Sequence, residues 1–431
     1  MSEETTYDER ARDHLGFSRW WLVVAAALAM AVVSPYQYVW SSIEGPMAAD
    51  LDIPLTQLGL VFTLFVIVQS GSQFPVGWWR DRHGPRLLTF LAAGLAGGAY
   101  YLLSYATAVW QLYLLYSVGA LGVGIVYTIS VNTALKWFPD RKGFTTGVGT
   151  MAFAGGAAFF VPYVRANATT GAYDAVLQNM GLVIGIAILV AAVVLRDPPQ
   201  SWYDARKADQ VTAAEADGGD TARDYHWRTM LGTWQFWLMY GMFVAVSGAG
   251  LMLTAKIVSF AQAMQLDAVT ATASATLLPV AGGIGRLVLG ELSDRLNRRL
   301  AMAASFSLCG LGLFAVVGFS QTGTTVGFLA AVVLATFFWS PQYTLFPSLV
   351  ADYYGESNSS ANYALLYSGK MWGGVFGGAV AAWVVTQVGW SLTFQLGGVL
   401  ALLSGIAALA LRDPGPATNQ SNHATPAVSD D

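Results

Sequence analysis

The feature that most constrains this chain is a series of apolar stretches. A helix needs about 20 mostly apolar residues to cross the hydrocarbon core of a bilayer, and twelve windows of the 431-residue chain meet this requirement. Only 11% of the residues are charged, against roughly a quarter in soluble globular proteins. The sequence therefore predicts an all-α integral membrane protein with twelve transmembrane helices.

We number these windows span 1 to span 12 in chain order. Spans 1 to 6 cover approximately residues 20–44, 56–79, 86–108, 110–134, 143–164 and 174–195. Spans 7 to 12 cover approximately residues 230–257, 268–292, 300–320, 325–350, 360–386 and 390–411. A long polar connection separates spans 6 and 7. We predict an N-terminal tail (1–19), an N-terminal half (20–195), a linker (196–229), a C-terminal half (230–411) and a C-terminal tail (412–431).

The two halves carry matching landmarks. The segment GWWRDRHGPR at 77–86 corresponds to GELSDRLNRR at 290–299, and LRDPP at 195–199 corresponds to LRDPG at 411–415. The separations, 213 and 216 residues, are nearly equal. This indicates two parallel repeats of six helices, a transporter plan in which the site lies at the repeat interface near the midplane.

The distribution of basic residues predicts the orientation. Of the 22 Lys and Arg residues, Lys256, Arg286 and Lys370 lie inside spans, and Arg165 alone lies in the loops of one side. All the others lie on the side that carries both termini. By the positive-inside rule, we expect a multi-pass protein of the plasma membrane with both termini in the cytoplasm.

Two of the cations inside spans are placed too deep to reach water easily. Lys256 lies near the outer end of span 7, where a long side chain can extend to the interface. Arg286 and Lys370 lie deeper, and no Asp or Glu occupies the middle of any span. An unpaired cation in the bilayer costs about 3 kcal/mol on insertion scales. We hypothesise that the missing partner of both is a transported anion.

The duplicated loop motif predicts a gating element. Gly77 allows close helix approach, Asp81 can accept hydrogen bonds from a helix N-terminus, and Arg82 adds positive charge. Its counterparts in the second half are Gly290, Asp294 and Arg295. In this pattern the chain resembles the major facilitator superfamily, whose loop between spans 2 and 3 carries it. The resemblance covers residues 18–412 and implies two six-helix halves that rock about a central site.

Aromatic residues recur in the spans that would face this site. Trp339 and Tyr343 are spaced i, i+4, and Tyr367 and Lys370 are spaced i, i+3, so each pair shares a helix face. Aromatic walls suit a small planar ligand, and ring faces can hold the cations while the site is empty.

The stretches SPYQYVW, GIVYTISVNTALKWFPDRKG, GGIGRLVLGELSDR, FFWSPQY and NYALLYSGK resemble the oxalate:formate antiporter family. The resemblance implies that Arg286 and Lys370 bind the carboxylates. It places the cavity aromatics on Tyr38, Tyr127, Trp339 and Tyr343. Two positions depart from the family pattern: Tyr367 replaces a tryptophan, and Phe153 replaces a tyrosine.

The expected function is exchange of small mono- or dicarboxylates by a protein that works as a monomer in the lipid bilayer. An alternative is a proton-coupled monocarboxylate symporter, although Gly282 stands where that family has an aspartate. A more remote alternative is a membrane receptor that senses an anion.

Catalysis and cofactor binding are not expected from this sequence. No HExxH, GxSxG or P-loop motif occurs in its required context. The single cysteine, Cys309, and four scattered histidines provide no metal site. We predict no enzyme activity, no cofactor, no metal and no nucleic-acid partner.

Overall fold

The computed structural model describes residues 7–53, 55–168, 171–204 and 224–415, and no strand occurs among them. Parts of the predicted N-terminal tail, linker and C-terminal tail, at 1–6, 205–223 and 416–431, lie outside the described residues. Eleven helices of the described part are long and apolar enough to span a bilayer. Span 5 completes the set as two shorter helices that meet at Gly156. The predicted all-α, twelve-span fold class is confirmed.

The N-terminal half contains a short surface helix, Tyr7–Leu15, followed by spans 1 to 6. Span 1 consists of Trp20–Val33, Pro35–Tyr38 and Trp40–Leu51, and span 2 of Leu55–Gly71 and Gln73–His83. Span 3 consists of Arg86–Ala92, a π-helical turn Ala93–Gly98, Ala99–Leu102 and a 3-10 turn Leu103–Tyr105. Span 4 is Val109–Trp137, span 5 is Lys142–Gly155 with Ala157–Asn167, and span 6 is Tyr173–Val194.

The C-terminal half begins with the short helix Trp227–Leu231 and contains spans 7 to 12. Spans 7, 8 and 9 are the long helices Trp234–Ala263, Ala268–Arg295 and Arg298–Thr322. Span 10 consists of Thr325–Trp339 and Gln342–Tyr354. Span 11 consists of Ser359–Tyr367, Gly369–Val375, a π-helical turn Phe376–Val380 and Ala381–Val388, and span 12 is Trp390–Ala410.

The outer surface of the bundle is apolar. Large aliphatic side chains of spans 6 and 12, such as Ile186, Val193, Leu403 and Ile406, are exposed. A contiguous apolar surface of this kind is unusual for a soluble monomer, but lipid chains are as apolar as these residues. Most polar side chains of spans 4 and 10, such as Asn132, Thr133, Gln342 and Thr344, are instead buried inside. The bundle therefore faces lipid outside and keeps its polar groups for the interior.

The repeat is visible in how the peripheral helices cross. A Cβ added at Gly97 of span 3 would lie 2.5 Å from Cα of Gly185 in span 6. A Cβ added at Gly310 of span 9 would lie 2.6 Å from the carbonyl oxygen of Gly398 in span 12. Both glycine pairs are related by the same shift of 213 positions. Small residues that let helix backbones touch thus recur at equivalent crossings of the two halves.

Both described chain ends lie at the same end of the bundle, which we call the basic side because its loops carry most of the Lys and Arg residues. Arg19 is buried there, where it donates to both carboxylate oxygens of Asp140, at 2.8 and 2.9 Å, and to the carbonyl of Trp137 at 3.0 Å. Near the other end of the chain, the carbonyl oxygen of Leu411 accepts a hydrogen bond from Arg299 at 2.6 Å.

Candidate functional site

Five spans of the described part are broken by a turn between two α-helical segments. The interruptions in spans 1 and 10 coincide with Pro35 and Pro341, which lack the N–H that a helix requires. Span 2 breaks after Gly71, where Pro75 removes the bond to the Gly71 carbonyl. Spans 5 and 11 break at Gly156 and Ser368. Broken helices free backbone and side-chain polar groups, and in transporters they commonly form the binding site.

Arg286 of span 8 is buried, with 3% of its surface exposed. Its Nε donates to Oγ of Ser340 at 2.6 Å, and Nη1 donates to the carbonyl oxygen of Thr150 at 2.7 Å. Its Cζ lies 4.8 Å from the centre of the Tyr343 ring. Ser340 and Tyr343 belong to the C-terminal half and Thr150 to the N-terminal half, so the guanidinium joins the two halves.

Lys370 of span 11 is equally buried, with 2% exposed. Its Nζ donates to Oε1 of Gln37 and of Gln69, each at 3.3 Å, and to the hydroxyl of Tyr367 at 3.1 Å. Nζ also lies 5.4 Å from the centre of the Tyr367 ring and 5.8 Å from that of Tyr343. The two glutamines come from spans 1 and 2, so the ammonium also bridges the halves.

Neutral groups surround the two cations among the residues whose side chains the structure describes. Among the described residues, no Asp or Glu oxygen lies within 4.0 Å of Arg286 or Lys370. Hydrogen bonds to neutral oxygens and contacts with ring faces lower the cost of burying a cation, but they leave its charge in place. Within the described part of the chain, the interior therefore holds two positive charges without a carboxylate partner.

A continuous chain of aromatic contacts connects the predicted site residues. Neighbouring ring centres are 4.9 to 6.0 Å apart, which is the usual range for aromatic pairs. In order of contact the rings are those of Tyr38, Phe153, Tyr127, Tyr367, Tyr343 and Trp339. The chain crosses between the halves at Tyr127 and Tyr367, whose centres are 4.9 Å apart.

The two residues that depart from the family pattern both lie inside this chain. Phe153 contacts Tyr38 and Tyr127, at 5.9 and 5.6 Å between ring centres. Tyr367 contacts Tyr127 and accepts from Lys370. The structure thus brings every residue of the predicted substrate set into one cluster.

The first loop motif links the N-terminal half to span 11. A Cβ at Gly77 would lie 2.5 Å from the carbonyl oxygen of Ser360, so only glycine permits this approach. Oδ2 of Asp81 accepts from the backbone N–H of Ala361 at 3.0 Å, in the first turn of Ser359–Tyr367. A carboxylate at a helix N-terminus interacts favourably with the helix dipole.

The second motif makes the equivalent contact with span 5 of the N-terminal half. A Cβ at Gly290 would lie 2.4 Å from the carbonyl oxygen of Gly143. The carboxylate of Asp294 accepts from the backbone N–H groups of Gly143 and Phe144, at 2.8 and 2.9 Å. Each half therefore caps a helix of the other half, and the bundle is closed on the basic side.

Arg82 and Arg295, predicted as parts of these motifs, lie outside the contacts between the halves. Arg82 is exposed and stacks on Trp78, with Cζ 4.0 Å from the ring centre, and Arg295 pairs with Glu291 within its own helix. Both follow the motif glycine by five residues. Helical spacing puts residues three, four or eight positions later on the glycine's own face.

Arg80 satisfies that spacing within its own helix, whereas Arg298 is the first residue of the next helix, span 9, and is placed by the turn between spans 8 and 9. Arg80 donates to Oγ of Ser360 at 2.8 Å and to Asp197 at 2.7 Å. Arg298 binds Asp294 and also Asp352 at 2.8 Å. The helical period of the motif could have identified Arg80 in the sequence, but it gives no signal for Arg298, which lies beyond the end of span 8.

A buried ion-pair network stabilises the basic side of the N-terminal half. Asp197 lies just beyond span 6, 2.7 Å from Arg80 and 3.1 Å from Nζ of Lys136, which also binds Asp81 at 3.1 Å. Burial alone would raise the pKa of Asp197, but Arg80 and Lys136 hold it below the ordinary value.

Sequence reasoning missed Gln69 and Ser340, the residues that hold Lys370 and Arg286. Each is a single neutral polar residue in an apolar span and resembles many others in the chain. Proximity of a polar residue to a helix break was the available signal, because Ser340 precedes Pro341 and Gln69 precedes the break at Ser72.

Comparison with known proteins identifies the family. The family model described as Major Facilitator Superfamily matches residues 20–367 and 342–429. The oxalate:formate antiporter of Oxalobacter formigenes is 30% identical over 387 residues, which cover 90% of each chain. The probable sulfoacetate transporter SauU of Cupriavidus necator is 23% identical over 403 residues, covering 90% of this chain and 93% of the relative.

The fold comparison agrees. The structure of the proton:xylose symporter XylE with bound 6-bromo-6-deoxy-D-glucose superposes with a TM-score of 0.71. The match covers 91% of this chain and 95% of that one at 12% identity. Two broken-helix repeats, a central cluster that joins both halves and these matches lead to one conclusion: the chain belongs to the major facilitator superfamily.

Proposed function

We propose that the protein is a secondary active transporter that exchanges small carboxylate anions by alternating access, as in oxalate and formate antiport. The observation that carries the proposal is the pair Arg286 and Lys370, which is buried and contacts neutral groups alone among the described residues. Two positive charges without a carboxylate are complementary to a small dianion. Similarity to an antiporter of oxalate and formate supports the same function.

The two cations have different chemistry and take different parts in binding. The guanidinium of Arg286 offers a planar fork that binds a carboxylate bidentately, whereas the ammonium of Lys370 acts as a compact point charge. In this proposal each cation holds one end of a dicarboxylate. The aromatic residues that line the site are Tyr38, Tyr127, Trp339, Tyr343 and Tyr367.

Unused donors near the cations support anion binding. Nε2 of Gln69 and Nε1 of Trp339 are buried and have no hydrogen-bond partner among the described residues. A buried donor without a partner is costly, and carboxylate oxygens would satisfy it. The donors can therefore hold the anion in place between the cations.

Obligate exchange follows from the charge of the empty site. Without an anion, closing the site on both sides would leave two uncompensated cations in a dry interior, which is strongly unfavourable. With a dicarboxylate bound, the charges cancel and the occluded state becomes accessible. Return of the empty carrier is thus slow, and each cycle carries an anion both ways.

The residues of the two loop motifs act as gating residues in the proposed transport cycle. We take the basic side as cytoplasmic and the membrane as the plasma membrane, with both termini in the cytoplasm. Gly77, Asp81, Gly290 and Asp294 then form the latch that keeps the cytoplasmic side closed. Arg80 and Arg298, rather than Arg82 and Arg295, contribute the basic side chains of the latch.

Exchange in proteoliposomes tests the proposal. Vesicles with purified protein are preloaded with unlabelled oxalate, and uptake of labelled oxalate is followed in competition with formate, malonate, succinate, lactate and acetate. We expect rapid uptake that requires internal anion, and efflux into anion-free buffer that is at least about tenfold slower. Equal rates with and without counter-anion would refute exchange.

The same vesicles distinguish proton-coupled symport. A pH gradient would drive net uptake of a monocarboxylate by a symporter, whereas an exchanger depends on the internal anion. Gly282 offers no carboxylate to carry the proton at the position where the symporter family has one. We therefore expect no net uptake driven by the pH gradient alone.

A further inference from the structure

We propose that Gln73 forms a second, transient anion subsite between the central site and the basic side. This rests on the proposed function, because it concerns the path of the same anion. In the closed arrangement described here the subsite is sealed, and the anion would reach it when the basic side opens. Its ligand class is a small carboxylate, held by amide N–H donors instead of cations.

The first observation is an amide with no partner. Gln73 of span 2 is completely buried, and both Oε1 and Nε2 lack a hydrogen-bond partner among the described residues. Almost all buried polar side-chain atoms in proteins have a partner, and each exception needs an explanation. The amide is therefore suited to a partner that arrives in another state of the transport cycle.

The second observation is the place of Gln73 along the helix. It follows Gln69 by four residues, and Ser72 at the break keeps helical backbone angles (φ −72°, ψ −18°), so the two residues lie on one face about 6 Å apart along the axis. Gln69 accepts from Lys370 through Oε1, and its own Nε2 has no hydrogen-bond partner within the described part of the chain. Two free amide donors thus follow one another from the cation pair toward the basic side.

The third observation marks the end of this track. Gly77 lies one further turn toward the basic side, and there the backbone of span 2 touches Ser360 of span 11. Along span 2, Gln73 therefore lies between Gln69, which contacts Lys370, and Gly77, which contacts span 11. Separation of spans 2 and 11 at Gly77 would expose Gln73 to the basic side before it exposed Lys370.

The repeat relates this residue to the substrate arginine. Gln73 and Arg286 are separated by 213 positions, the same shift that relates Gly77 to Gly290 and Asp81 to Asp294. Equivalent positions of the two halves thus carry a guanidinium and an amide. A neutral donor binds a carboxylate more weakly than a cation does, so the anion can leave it quickly. This asymmetry suits release toward the basic side.

The test separates binding from translocation. In Gln73→Leu, we expect the equilibrium affinity for labelled oxalate to stay within about threefold of wild type, since the central cations are intact. We expect the exchange rate to fall at least about tenfold, because a hydrogen bond made only during passage is lost. We expect the unfolding temperature to be unchanged or higher, since an unpaired buried amide is removed.

Two further variants complete the design. Gln73→Glu keeps the shape of the side chain but repels anions, so its exchange rate should also fall at least about tenfold. This variant tests the proposal if Gln73→Leu does not fold. Phe74→Leu is the matched control: Phe74 packs on Trp227, away from this track, and its exchange should match wild type.

Three outcomes would overturn the inference: wild-type exchange in Gln73→Leu, wild-type exchange in Gln73→Glu, or a loss of affinity that equals the loss of exchange. Failure of wild-type protein to bind or exchange any carboxylate would instead overturn the proposed function itself.

Discussion

The guanidinium of Arg286 lies over the ring of Tyr343, with its Cζ 4.8 Å from the ring centre. The ammonium of Lys370 lies 5.8 Å from the centre of the same ring. One aromatic side chain thus contacts both buried cations while no carboxylate does so among the described residues. The negative face of an aromatic ring attracts a cation, so Tyr343 helps to keep both charges in the interior until an anion binds.

The shared ring predicts a difference between two variants. Tyr343→Leu removes the aromatic face and should destabilise the anion-free protein by about 1 to 2 kcal/mol, the contribution of a desolvated cation–π contact. Tyr343→Phe keeps the ring face and should lose much less stability, as the ring and not the hydroxyl holds the cations. Thermal unfolding in anion-free buffer measures both variants. Equal stabilities of the two variants would contradict this role of the ring.

Removal of either cation should abolish exchange without unfolding the protein. In Arg286→Ala or Lys370→Ala we expect the exchange rate to drop at least about 100-fold, because a charge-assisted pair is lost. The protein should remain folded, because removal of either cation leaves no buried carboxylate unpaired among the described residues. Arg286→Lys should be nearly as inactive as Arg286→Ala, because an ammonium cannot reproduce the fork. Retained exchange in both alanine variants would exclude the proposed site.

Gly250 should control the size of the site. A Cβ at Gly250 would lie 1.9 Å from Cε2 and 2.0 Å from Nε1 of Trp339, so Gly250→Ala must push the indole toward the aromatic cluster. We expect oxalate exchange to fall at least about tenfold while formate transport falls less, since overpacking typically costs about 1 to 3 kcal/mol. The double variant with Trp339→Phe should recover part of the oxalate exchange, since the smaller ring relieves the overlap but lacks the Nε1 donor. Equal losses for both anions without recovery would rule out size control.

The aspartate caps should hold the basic side closed. Ser360 is buried at the contact, so a Ser360→Cys protein should react slowly with a membrane-impermeant maleimide from that side. Addition of Asp81→Asn should speed labelling several-fold, because a charge at a helix N-terminus contributes about 0.3 to 1 kcal/mol. Arg82→Gln is the control, since Arg82 stacks on Trp78 outside the contact, and it should leave labelling unchanged. Unchanged labelling in the aspartate variant would argue against the latch.

The ion pairs of Asp197 predict a pH dependence of stability. Because Arg80 and Lys136 lower its pKa in the folded protein, the stabilisation is fully present above the unfolded value, near 3.9. It is lost as the pH falls through the lower folded value. Wild type should therefore exceed Asp197→Asn in unfolding temperature at pH 7, and the difference should shrink only below about pH 4. A constant difference down to pH 3 would contradict the assignment.

The sequence by itself determined the membrane fold and most of the candidate site. Apolar windows of sufficient length span a bilayer as helices, because a helix satisfies its own backbone hydrogen bonds in the absence of water. The duplicated motif revealed the repeat. Arg286 and Lys370 stood out because a cation in an apolar span is costly and rare. The aromatic set came from helical spacing together with the family resemblance. All of these are local signals, which a linear sequence retains.

The tertiary structure decided which neutral residues serve those charges and which arginines hold the halves together. Gln69 and Ser340 became visible as ligands only when spans 2 and 10 were packed against spans 11 and 8. Arg82 proved to be a surface residue, although Arg80, two positions earlier, is at the interface. Each of these assignments depends on which face of one helix meets another helix far away in the chain. That geometry arises from packing between spans that are distant in the chain. It cannot be predicted from the composition of one span or from the residue spacing within it.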